Sequence, residues 1–472
     1  MNRSIEKKII PKEIRKIIEM LESFGFEAYL VGGVVRDILM KREPKDWDIA
    51  TDAKPEEIQK IFPNSFYENK FGTVSVKTKN FGIVEVTTYR IEDSYSDSRH
   101  PDNVVFTKKL VDDLKRRDFT MNAIALSANG KIFDPFDGES DIRKKLIRCV
   151  GNSQDRFQED ALRMLRAVRF SCELDFQIEE KTSLGIKKKY NKLSKISAER
   201  IRDEFSKIIL SPNPEKGIRL LDEYNLLQYV VPEVLVGKGI KQNHHHVYDV
   251  FEHSIKSLGS CPSKKLEVRL ASLLHDIGKP GTKKESETGS TFYNHEFLSA
   301  RITKSILERL KFPKKVIEYT SHLVKNHMFF YNYDLTDAAV RRILRRIGPE
   351  NLEDFIDLRV ADRLGSGIKT PKSKRLIEFE KKAFLVRHHP ISTHDLKIDG
   401  NKVMEILKEK PGKVIGEVLN HLLELVIENP ERNNEKWLEE EVVRWKNGKK
   451  TKLKTPKGEL SKKRMGILIQ DF

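Results

Sequence analysis

Two aspartates separated by one residue, Asp46 and Asp48, follow a short apolar segment that runs into a pair of glycines. Side chains two positions apart on a β-strand point to the same side, so the sequence predicts that both carboxylates face one site. Magnesium takes one or two carboxylates together with water and phosphate oxygens, and paired ions support in-line phosphoryl displacement. The pair alone is a weak indication, because exposed aspartates are usually solvated.

The segment before the aspartates predicts a strand over residues 28–31, a turn, and a helix that begins near Val34. Gly32 and Gly33 allow main-chain amides to approach a ligand closely, and the start of a helix favours phosphate. Arg36 adds a cation on that helix. Together with the aspartates, this arrangement predicts a nucleoside triphosphate bound with a divalent metal.

A second charged segment, RRDFTMN at residues 116–122, carries groups suited to the same ligand. Arg116 and Arg117 are permanent cations that match phosphate oxygens. Asp118 and Asn122 either hold a ribose hydroxyl or orient those arginines. The alternative for the whole segment is a surface ion-pair cluster.

Between these segments, residues 72–77 and 83–88 alternate as two predicted strands. Glu85 on the second strand is either a third carboxylate for the metals or a charged residue on the outer face. The polar residues 90–106 have no clear period and include Pro101, which predicts a mobile loop beside the site.

From residue 156 the pattern becomes helical, and Asp160 and Arg163 are predicted to share one helical face, with Arg166 nearby. An aspartate that accepts and an arginine that donates complement the Watson–Crick edges of cytosine and adenine, and mismatch those of guanine and uracil. The protein itself would then read the base. The alternative is an ordinary salt bridge between residues three apart on a helix.

Composition limits the classes of protein to be considered. The 472 residues suffice for about three or four domains, and the net charge of +17 indicates a polyanionic partner. The three cysteines are far apart, which is typical of reduced, buried thiols. We expect no signal peptide and no membrane segment, because no apolar run approaches about 18 residues, and hence a cytoplasmic location.

The segments described so far resemble the motifs of the class II tRNA nucleotidyltransferases, in the same order and over about residues 25–235. The matching segments are GGVVRD at 32–37, DWD at 46–48, RRDFTMN at 116–122, DPFDG at 134–138, EDALR at 159–163 and SAER at 197–200. This family includes CCA-adding enzymes and bacterial poly(A) polymerases. The loop at 90–106 also resembles the flexible element that serves the switch from C to A addition.

The resemblance implies an α+β protein, with a nucleotidyltransferase head built on a small mixed sheet, followed by helical neck, body and tail domains. It implies template-independent addition of C, C and A to the 3′ end of tRNA from CTP and ATP, with release of pyrophosphate. Two Mg²⁺ ions would bind Asp46 and Asp48, and Asp160 and Arg163 would select the base. A poly(A) polymerase, or an enzyme that adds only CC or only A, remains an alternative.

A second group of imidazoles and carboxylates lies between residues 243 and 367. Such a group suits a transition metal that activates water for phosphoester hydrolysis. The segment LHDIGKP at 274–280, with a histidine upstream and an aspartate downstream, resembles the HD phosphohydrolases. That resemblance implies one metal on His253, His275, Asp276 and Asp362, and a second metal site completed by His295 and His327, with His322 as a substitute.

Two alternatives concern this second group. The HD-type domain is either a catalytic domain or an inactive helical scaffold, and the whole chain is either a transferase or an HD phosphohydrolase whose front half binds RNA. The run of histidines at 244–246 is interpreted as loop or rim residues.

The predicted domains are a head (1–150), a neck (151–242), an HD-type domain (243–367), a helical tRNA-binding tail (375–445) and a basic arm (446–472). We expect the arm to contact RNA phosphates, with a steep dependence on salt. A solvated chain end is the alternative. The sequence does not indicate an oligomeric state.

Overall fold

The computed structural model describes residues 9–67, 72–93, 103–242, 247–286, 289–328, 335–449 and 451. The chain forms two compact units, Met1–Pro232 and Glu233–Phe472. The first unit joins a mixed sheet to helices and the second is mainly helical, which confirms the predicted α+β class. In the described part of the chain, no helix has the length and apolar character needed to cross a membrane.

The first unit contains the seven-stranded sheet and two smaller pairs of strands. The described strands of this unit are β1 (Ala28–Val31), β2 (Asp48–Thr51), β3 (Ser65–Tyr67), β4 (Thr73–Lys77), β5 (Ile83–Thr88), β6 (Arg90–Asp93), β7 (Asn103–Phe106), β8 (Ala125–Leu126), β9 (Ile132–Phe133), β10 (Leu146–Ile147) and β11 (Gln177–Ile178). Its described helices are α1 (Lys12–Ser23), α2 (Gly33–Leu39), α3 (Pro55–Ile61), α4 (Leu110–Lys115), α5 (Gly138–Lys144), α6 (Ser153–Glu159), α7 (Leu162–Leu174), α8 (Glu180–Lys189), α9 (Ala198–Leu210), α10 (Pro214–Glu223) and α11 (Leu227–Val230).

Seven strands form one sheet in the order β3-β4-β5-β2-β1-β8-β9. The central strand β2 runs antiparallel to β1 and parallel to β5, so the sheet is mixed. In the parallel pair, Asp48 lies opposite Glu85. The sheet therefore places Asp48 and Glu85 side by side on neighbouring strands.

Local sequence explains how the first strand and helix meet. Helix α1 buries Ile14, Ile17, Ile18 and Leu21, which recur at helical spacing, against the sheet core. The chain then forms the buried strand β1 and turns at Gly32, whose φ of 78° and ψ of −136° are accessible mainly to glycine. Helix α2 begins at the next residue, one position before the predicted start.

The segment 90–106 differs from the loop that the sequence predicted. Its two ends pair as an antiparallel ribbon, with Arg90 opposite Phe106 and Asp93 opposite Asn103. The β-branched residues Val104 and Val105 favour this extended conformation. Residues 94–102 lie outside the described residues, so the expected mobility there stays a prediction.

The neck helices pack around α7, which contacts α9 and α10. Ten residues of α7 are buried, among them Arg163. A two-stranded parallel ribbon, β10 with β11, also joins this region, where only helices were expected.

The second unit is a set of helices with one small ribbon. Its helices in the described part are α12 (Pro232–Leu235, beginning at the unit boundary), α13 (Val250–Gly259), α14 (Leu266–Leu274), α15 (Lys279–Thr282), α16 (His295–Arg309), α17 (Lys314–Asn326), α18 (Asp337–Ile347), α19 (Leu352–Gly365), α20 (Lys374–Val386), α21 (Gly400–Leu407), α22 (Lys413–Glu428) and α23 (Glu435–Lys446). The ribbon pairs β12 (Lys284–Ser286) with β13 (Gly289–Thr291).

Two apolar clusters hold these helices together. One cluster gathers residues between Cys261 and Ile391, among them Leu344, Phe355 and Leu358, which are completely buried. The other gathers residues between Leu396 and Val442 from the last three helices. Residues 452–472, which make up most of the predicted basic arm, lie outside the described residues, as do His244, His245 and His246.

Candidate active site and metal centre

The turn between β1 and α2 lies directly against charged side chains. A Cβ placed on Gly32 would be 2.9 Å from Nη1 of Arg117 and 3.7 Å from Oδ2 of Asp48. A side chain at this position would therefore displace the tip of the Arg117 side chain. The glycine is required by its backbone conformation, and its lack of a side chain leaves the guanidinium of Arg117 in place.

The two aspartates differ in their local structure. Asp48 is the first residue of β2, whereas Asp46 lies in a bend before the strand, so the prediction that one strand carries both is wrong. The strand starts later because the polar segment at residues 43–46 forms no ladder, and the first paired residue is Asp48. Both aspartates nevertheless line the same cleft.

Burial raises the pKa of Asp48 to about 6. The positive charge of Arg117 opposes this shift, while the carboxylates of Glu85 and Asp46 add to it. A buried carboxylate with carboxylate neighbours attracts a divalent cation, because the cation relieves both the burial and the repulsion. The donor set of hard oxygens fits magnesium.

Arg116 and Arg117 are held by a buried carboxylate that the sequence analysis did not single out. Asp113 accepts hydrogen bonds from Arg116 at 2.7 and 2.9 Å through one oxygen, and from Arg117 at 3.1 Å through the other. Burial opposes ionisation of Asp113, but the two arginines outweigh it and hold its pKa below the usual value. The aspartate therefore fixes both guanidinium groups relative to each other.

A chain of hydrogen bonds connects the helix after the glycines with the neck. Arg36 donates to Asn122 at 2.9 Å, and Asn122 donates to Asp118 at 3.0 Å. Arg166 donates to the other oxygen of Asp118 at 2.8 Å. Burial opposes ionisation of Asp118, but Arg166 and Asn122 lower its pKa to about 2.

Asp160 and Arg163 do not share one helical face, contrary to the sequence prediction. Helix α6 ends at Glu159 and α7 begins at Leu162, so Asp160 lies in the break between them. Asp160 accepts two hydrogen bonds from Arg200, at 2.8 and 3.2 Å. The alternative of a simple salt bridge between Asp160 and Arg163 is also wrong, since each has another partner.

Arg163 is held from two sides. It donates to the carboxylate of Glu159 at 2.7 Å and to the main-chain oxygen of Arg116 at 2.9 Å. The second bond joins the base-reading candidate to the segment that carries the phosphate-binding candidates. Both Asp160 and Arg163 line the cleft.

One cleft of about 500 Å³ collects every transferase residue that the sequence predicted. Its lining consists of Gly32, Gly33, Arg36, Asp46, Asp48, Arg116, Arg117, Asp118, Asn122, Asp160, Arg163, Arg166, Arg169, Phe170 and Lys207. Six arginines and one lysine face four aspartates there, so the cleft attracts a polyanion.

Three of these residues were missed by the sequence analysis: Arg169, Phe170 and Lys207. Helical spacing contained the signal for one of them, because Arg163, Arg166 and Phe170 recur at intervals of three and four on α7. Glu85 lies beside Asp48 in the sheet, and its role as a third carboxylate stays a prediction.

The second group of histidines and aspartates forms a compact cluster within the second unit. His253 and His275 bring their Nε2 atoms within 3.0 Å of each other, and His253 lies 3.2 Å from Oδ2 of Asp276. Oδ1 of Asp362 lies 3.4 and 3.6 Å from the same two imidazole nitrogens. These four side chains are close enough to share one ion.

Asp276 also faces a second pair of histidines with its other oxygen. Oδ1 of Asp276 lies 3.2 Å from Nε2 of His295 and 3.7 Å from Nε2 of His327. Two groups suited to a metal therefore meet at one carboxylate, namely His253, His275 and Asp276, and Asp276, His295 and His327. His322 is not part of either group, because its Nε2 donates to the main-chain oxygen of Ile347 at 2.9 Å.

Charges within this cluster are strongly coupled. Burial disfavours the imidazolium of His275, but Asp276 and Asp362 raise its pKa to about 10. Burial lowers the pKa of His327 to about 4. Lys279, which the sequence analysis did not single out, contacts Oδ2 of Asp276 at 2.6 Å. The imidazolium of His275 and the ammonium of Lys279 therefore lie beside the carboxylate of Asp276. A bound metal ion would place positive charge at the same carboxylate.

Family models match three parts of the chain. They are described as the Poly A polymerase head domain at residues 28–148, the RNA and SrmB-binding site of polymerase A at residues 175–236, and tRNA nucleotidyltransferase domain 2 at residues 292–442.

Similar proteins cover nearly the whole length. The CCA-adding enzyme of Enterococcus faecalis is 35% identical over 429 residues, which is 90% of this chain and 94% of that protein. The crystal structure of the Bacillus stearothermophilus CCA-adding enzyme in complex with CTP is 30% identical, covers 93% of this chain and 98% of its own, and gives a TM-score of 0.72. The Thermotoga maritima CCA-adding enzyme complexed with tRNA shares the fold, at 21% identity over 94% of this chain and 97% of its own, with a TM-score of 0.56.

Proposed function

The chain belongs to the CCA-adding enzymes, a family of tRNA nucleotidyltransferases, and on that premise we propose that its first unit adds C, C and A to the 3′ end of tRNA. CTP and ATP are the substrates, and pyrophosphate is released. One observation carries the proposal: two carboxylates, a set of arginines and the pair Asp160 and Arg163 line a single cleft. No nucleic-acid template is needed if protein side chains read the base.

The carboxylates Asp46 and Asp48 are the proposed ligands of two Mg²⁺ ions. Bound magnesium activates the 3′-hydroxyl of the tRNA and neutralises charge on the triphosphate. The raised pKa of Asp48 supports this assignment, because the ionised side chain is poorly stabilised by the protein alone. Asp48 is held next to the glycine turn, where a triphosphate can approach the main chain.

Arg36, Arg116 and Arg117 are the proposed triphosphate ligands. Their positions are fixed before substrate arrives, since Asp37 pairs with Arg36 at 2.8 Å and Asp113 holds the other two. Preorganised cations lose little conformational entropy on binding phosphate. The assignment of each arginine to a particular phosphate is left to mutagenesis.

Asp160 and Arg163 are the proposed base-reading pair. The aspartate accepts from the amino group that cytosine and adenine both carry, and the arginine donates to the adjacent ring nitrogen. Uracil and guanine present a carbonyl and an N–H at these positions, so both contacts would be mismatched. Glu159 and Arg200 keep the two side chains in place.

Primer extension tests the transferase. A tRNA that lacks its CCA end is incubated with CTP, with ATP or with both, and products are resolved at single-nucleotide resolution. We expect two additions with CTP alone and a third, terminal addition when ATP is also present. A ladder with ATP alone identifies a poly(A) polymerase, and arrest after two additions identifies a CC-adding enzyme. The variant Asp48→Ala is the control without incorporation.

A second activity is favoured by the cluster around Asp276. We propose that His253, His275, Asp276 and Asp362 hold one transition metal, and that Asp276, His295 and His327 hold another. A metal held there would supply a water of lowered pKa for phosphoester hydrolysis, in which the oxygen of the water is added to phosphorus and a proton of the water passes to the leaving alcohol. The inactive scaffold is the competing interpretation.

Hydrolysis assays separate the two activities. Phosphomonoesters, phosphodiesters and cyclic nucleotides are offered with Mn²⁺, Co²⁺ or Ni²⁺. Asp276→Ala is expected to abolish hydrolysis and keep CCA addition, and Asp48→Ala is expected to do the reverse. Absence of hydrolysis under all these conditions favours the scaffold.

The domain limits that the sequence predicted are proposed unchanged, with the head at 1–150 and the neck at 151–242. The helical tail at 375–445 and the basic arm at 446–472 are the proposed contacts with tRNA. The proposed substrates, tRNA, CTP and ATP, also support a cytoplasmic location.

A further inference from the structure

Phe170 lies at the centre of three arginines in the cleft. The central carbon of the Arg169 guanidinium lies 4.1 Å from the centroid of the Phe170 ring, and those of Arg36 and Arg166 lie at 5.2 and 5.3 Å. All three are within the range of about 6 Å at which a cation is attracted by an aromatic ring. The ring itself is only 3% exposed.

The three guanidinium groups come from two distant parts of the sequence. Arg36 belongs to α2, beside the two glycines, whereas Arg166 and Arg169 belong to α7. Each has its own acidic partner: Asp37 for Arg36, Asp118 for Arg166 and Glu204 for Arg169. The acids balance the charges, so the ring is not needed to neutralise them. What the ring adds is a common surface that sets their relative positions.

Phe170 also contacts both ends of a chain of hydrogen bonds. This chain runs from Arg36 to Asn122, from Asn122 to Asp118, and from Arg166 to Asp118. The ring contacts the first and last members of that chain. Phe119 packs edge-on against the ring at 5.8 Å, with an angle of 88° between the ring planes. The ring of Phe170 is therefore held by Arg36, Arg166 and Phe119.

We propose that Phe170 is a positioning residue for nucleotide binding, which fixes Arg36, a proposed triphosphate ligand on α2, relative to Arg166 on α7. This inference rests on the proposed transferase function. The ring touches neither of the base-reading side chains Asp160 and Arg163 in the contacts described for it. Its loss weakens the binding of CTP and ATP to a similar extent, and selection between bases is retained.

The test must separate the electrostatic role of the ring from its volume. Phe170 is replaced by mono-, di- and trifluorophenylalanine, which are close to phenylalanine in size but progressively weaken the negative potential of the ring face. KM and kcat are measured for CTP and for ATP on tRNA primers, together with the thermal midpoint. Phe176, which is buried at 1% exposure in the same unit, receives the same series as a matched control.

We expect KM for both nucleotides to rise with each fluorine at Phe170, by about tenfold over the series, while kcat changes by less than about twofold. The Phe176 series is expected to leave KM unchanged. Phe170→Leu removes the aromatic ring, and its KM for both nucleotides is expected to be higher than that of the trifluorophenylalanine variant.

A flat KM across the Phe170 series, or an equal rise in the Phe176 series, overturns the proposal and leaves Phe170 as a space-filling core residue. Failure of the proposed function is distinguishable, because the unmodified protein then incorporates neither nucleotide and no series can be measured.

Discussion

Arg200 holds Asp160 through two parallel hydrogen bonds, at 2.8 and 3.2 Å, across 40 residues of sequence. A paired guanidinium and carboxylate fix both the position and the orientation of the acid. Asp160 sits in a break between two helices, where the main-chain N–H of Leu162 donates to its Oδ1 at 3.0 Å and Arg200 contacts both of its oxygens. The proposed reading of a base by Asp160 therefore also depends on a residue of another helix.

The first prediction concerns this pair. Arg200→Ala is expected to lower kcat/KM for CTP and ATP by about tenfold to a hundredfold, because a misplaced acceptor loses most of its contribution. The kcat/KM for UTP and GTP is expected to fall less, so the ratio of kcat/KM between the correct and the incorrect nucleotides becomes smaller. Arg202→Ala, on the same helix with its contact to Asp203, is the control and should leave discrimination intact. Unchanged discrimination in Arg200→Ala would falsify the dependence.

The second prediction compares two glycines of positive φ. Gly32→Ala is expected to lower kcat/KM by at least about tenfold, because its Cβ would meet Arg117 at 2.9 Å. Gly25→Ala introduces backbone strain at a φ of 87° but meets nothing within 4 Å. Gly25→Ala is expected to lose about 1 kcal/mol of stability or somewhat more, and Gly32→Ala about 1–3 kcal/mol, because its ψ of −136° lies outside the left-handed helical region. Only Gly32→Ala should lose activity, as measured by steady-state incorporation, and equal losses would contradict a specific role for the turn.

The third prediction follows from the pKa of Asp48, which burial raises from 3.8 to about 6. Between these values the folded protein keeps a proton on Asp48 that the unfolded chain loses, so the contribution of Asp48 to metal-free stability falls as pH rises from about 4 to 6 and is then constant. Asp48→Asn is expected to be more stable than the unchanged protein at pH 8, by about 3 kcal/mol. The difference should disappear at pH 4. Denaturant unfolding with chelator present measures it.

Magnesium provides the check on this third prediction. Added Mg²⁺ should stabilise the unchanged protein at pH 8 and leave Asp48→Asn nearly unaffected, because binding to the folded state alone raises stability. If Asp48→Asn is no more stable than the unchanged protein without metal, then the carboxylate is not penalised by burial as inferred.

The fourth prediction concerns metal content at the cluster around Asp276. If each group of three ligands binds an ion, the unchanged protein holds two, and His253→Ala or His327→Ala holds one. Asp276→Ala is expected to hold none, because its two oxygens face different histidine pairs. Elemental analysis after dialysis gives the stoichiometry. His322→Ala is the matched control and should keep both ions, and an ion retained by Asp276→Ala would exclude the shared arrangement.

Much of the transferase cleft could be predicted from the sequence, because its residues stand in short segments with recognisable local structure. Gly32, Asp48 and Arg117 each belong to a motif whose chemistry is legible from residue type and spacing. The cluster around Asp276 was likewise legible from one local segment and its flanking histidines.

The supporting contacts could not be predicted, because they join segments far apart in the chain. Asp113 resembles any acid near two arginines until its burial is known. Arg200 reaches Asp160 across 40 residues, and Phe170 on α7 contacts Arg36 on α2, a helix from a distant part of the sequence. The helix break at Asp160 was missed for a related reason: the residues around it suit a continuous helix, and tertiary hydrogen bonds decide otherwise.

The bond from Arg163 to the main-chain oxygen of Arg116 also limits how the enzyme can handle substrates of unequal size. It joins the proposed base-reading residue to the segment that carries the proposed triphosphate ligands, and moving the two apart would break a largely shielded contact. Widening the cleft to admit a purine would therefore cost this hydrogen bond.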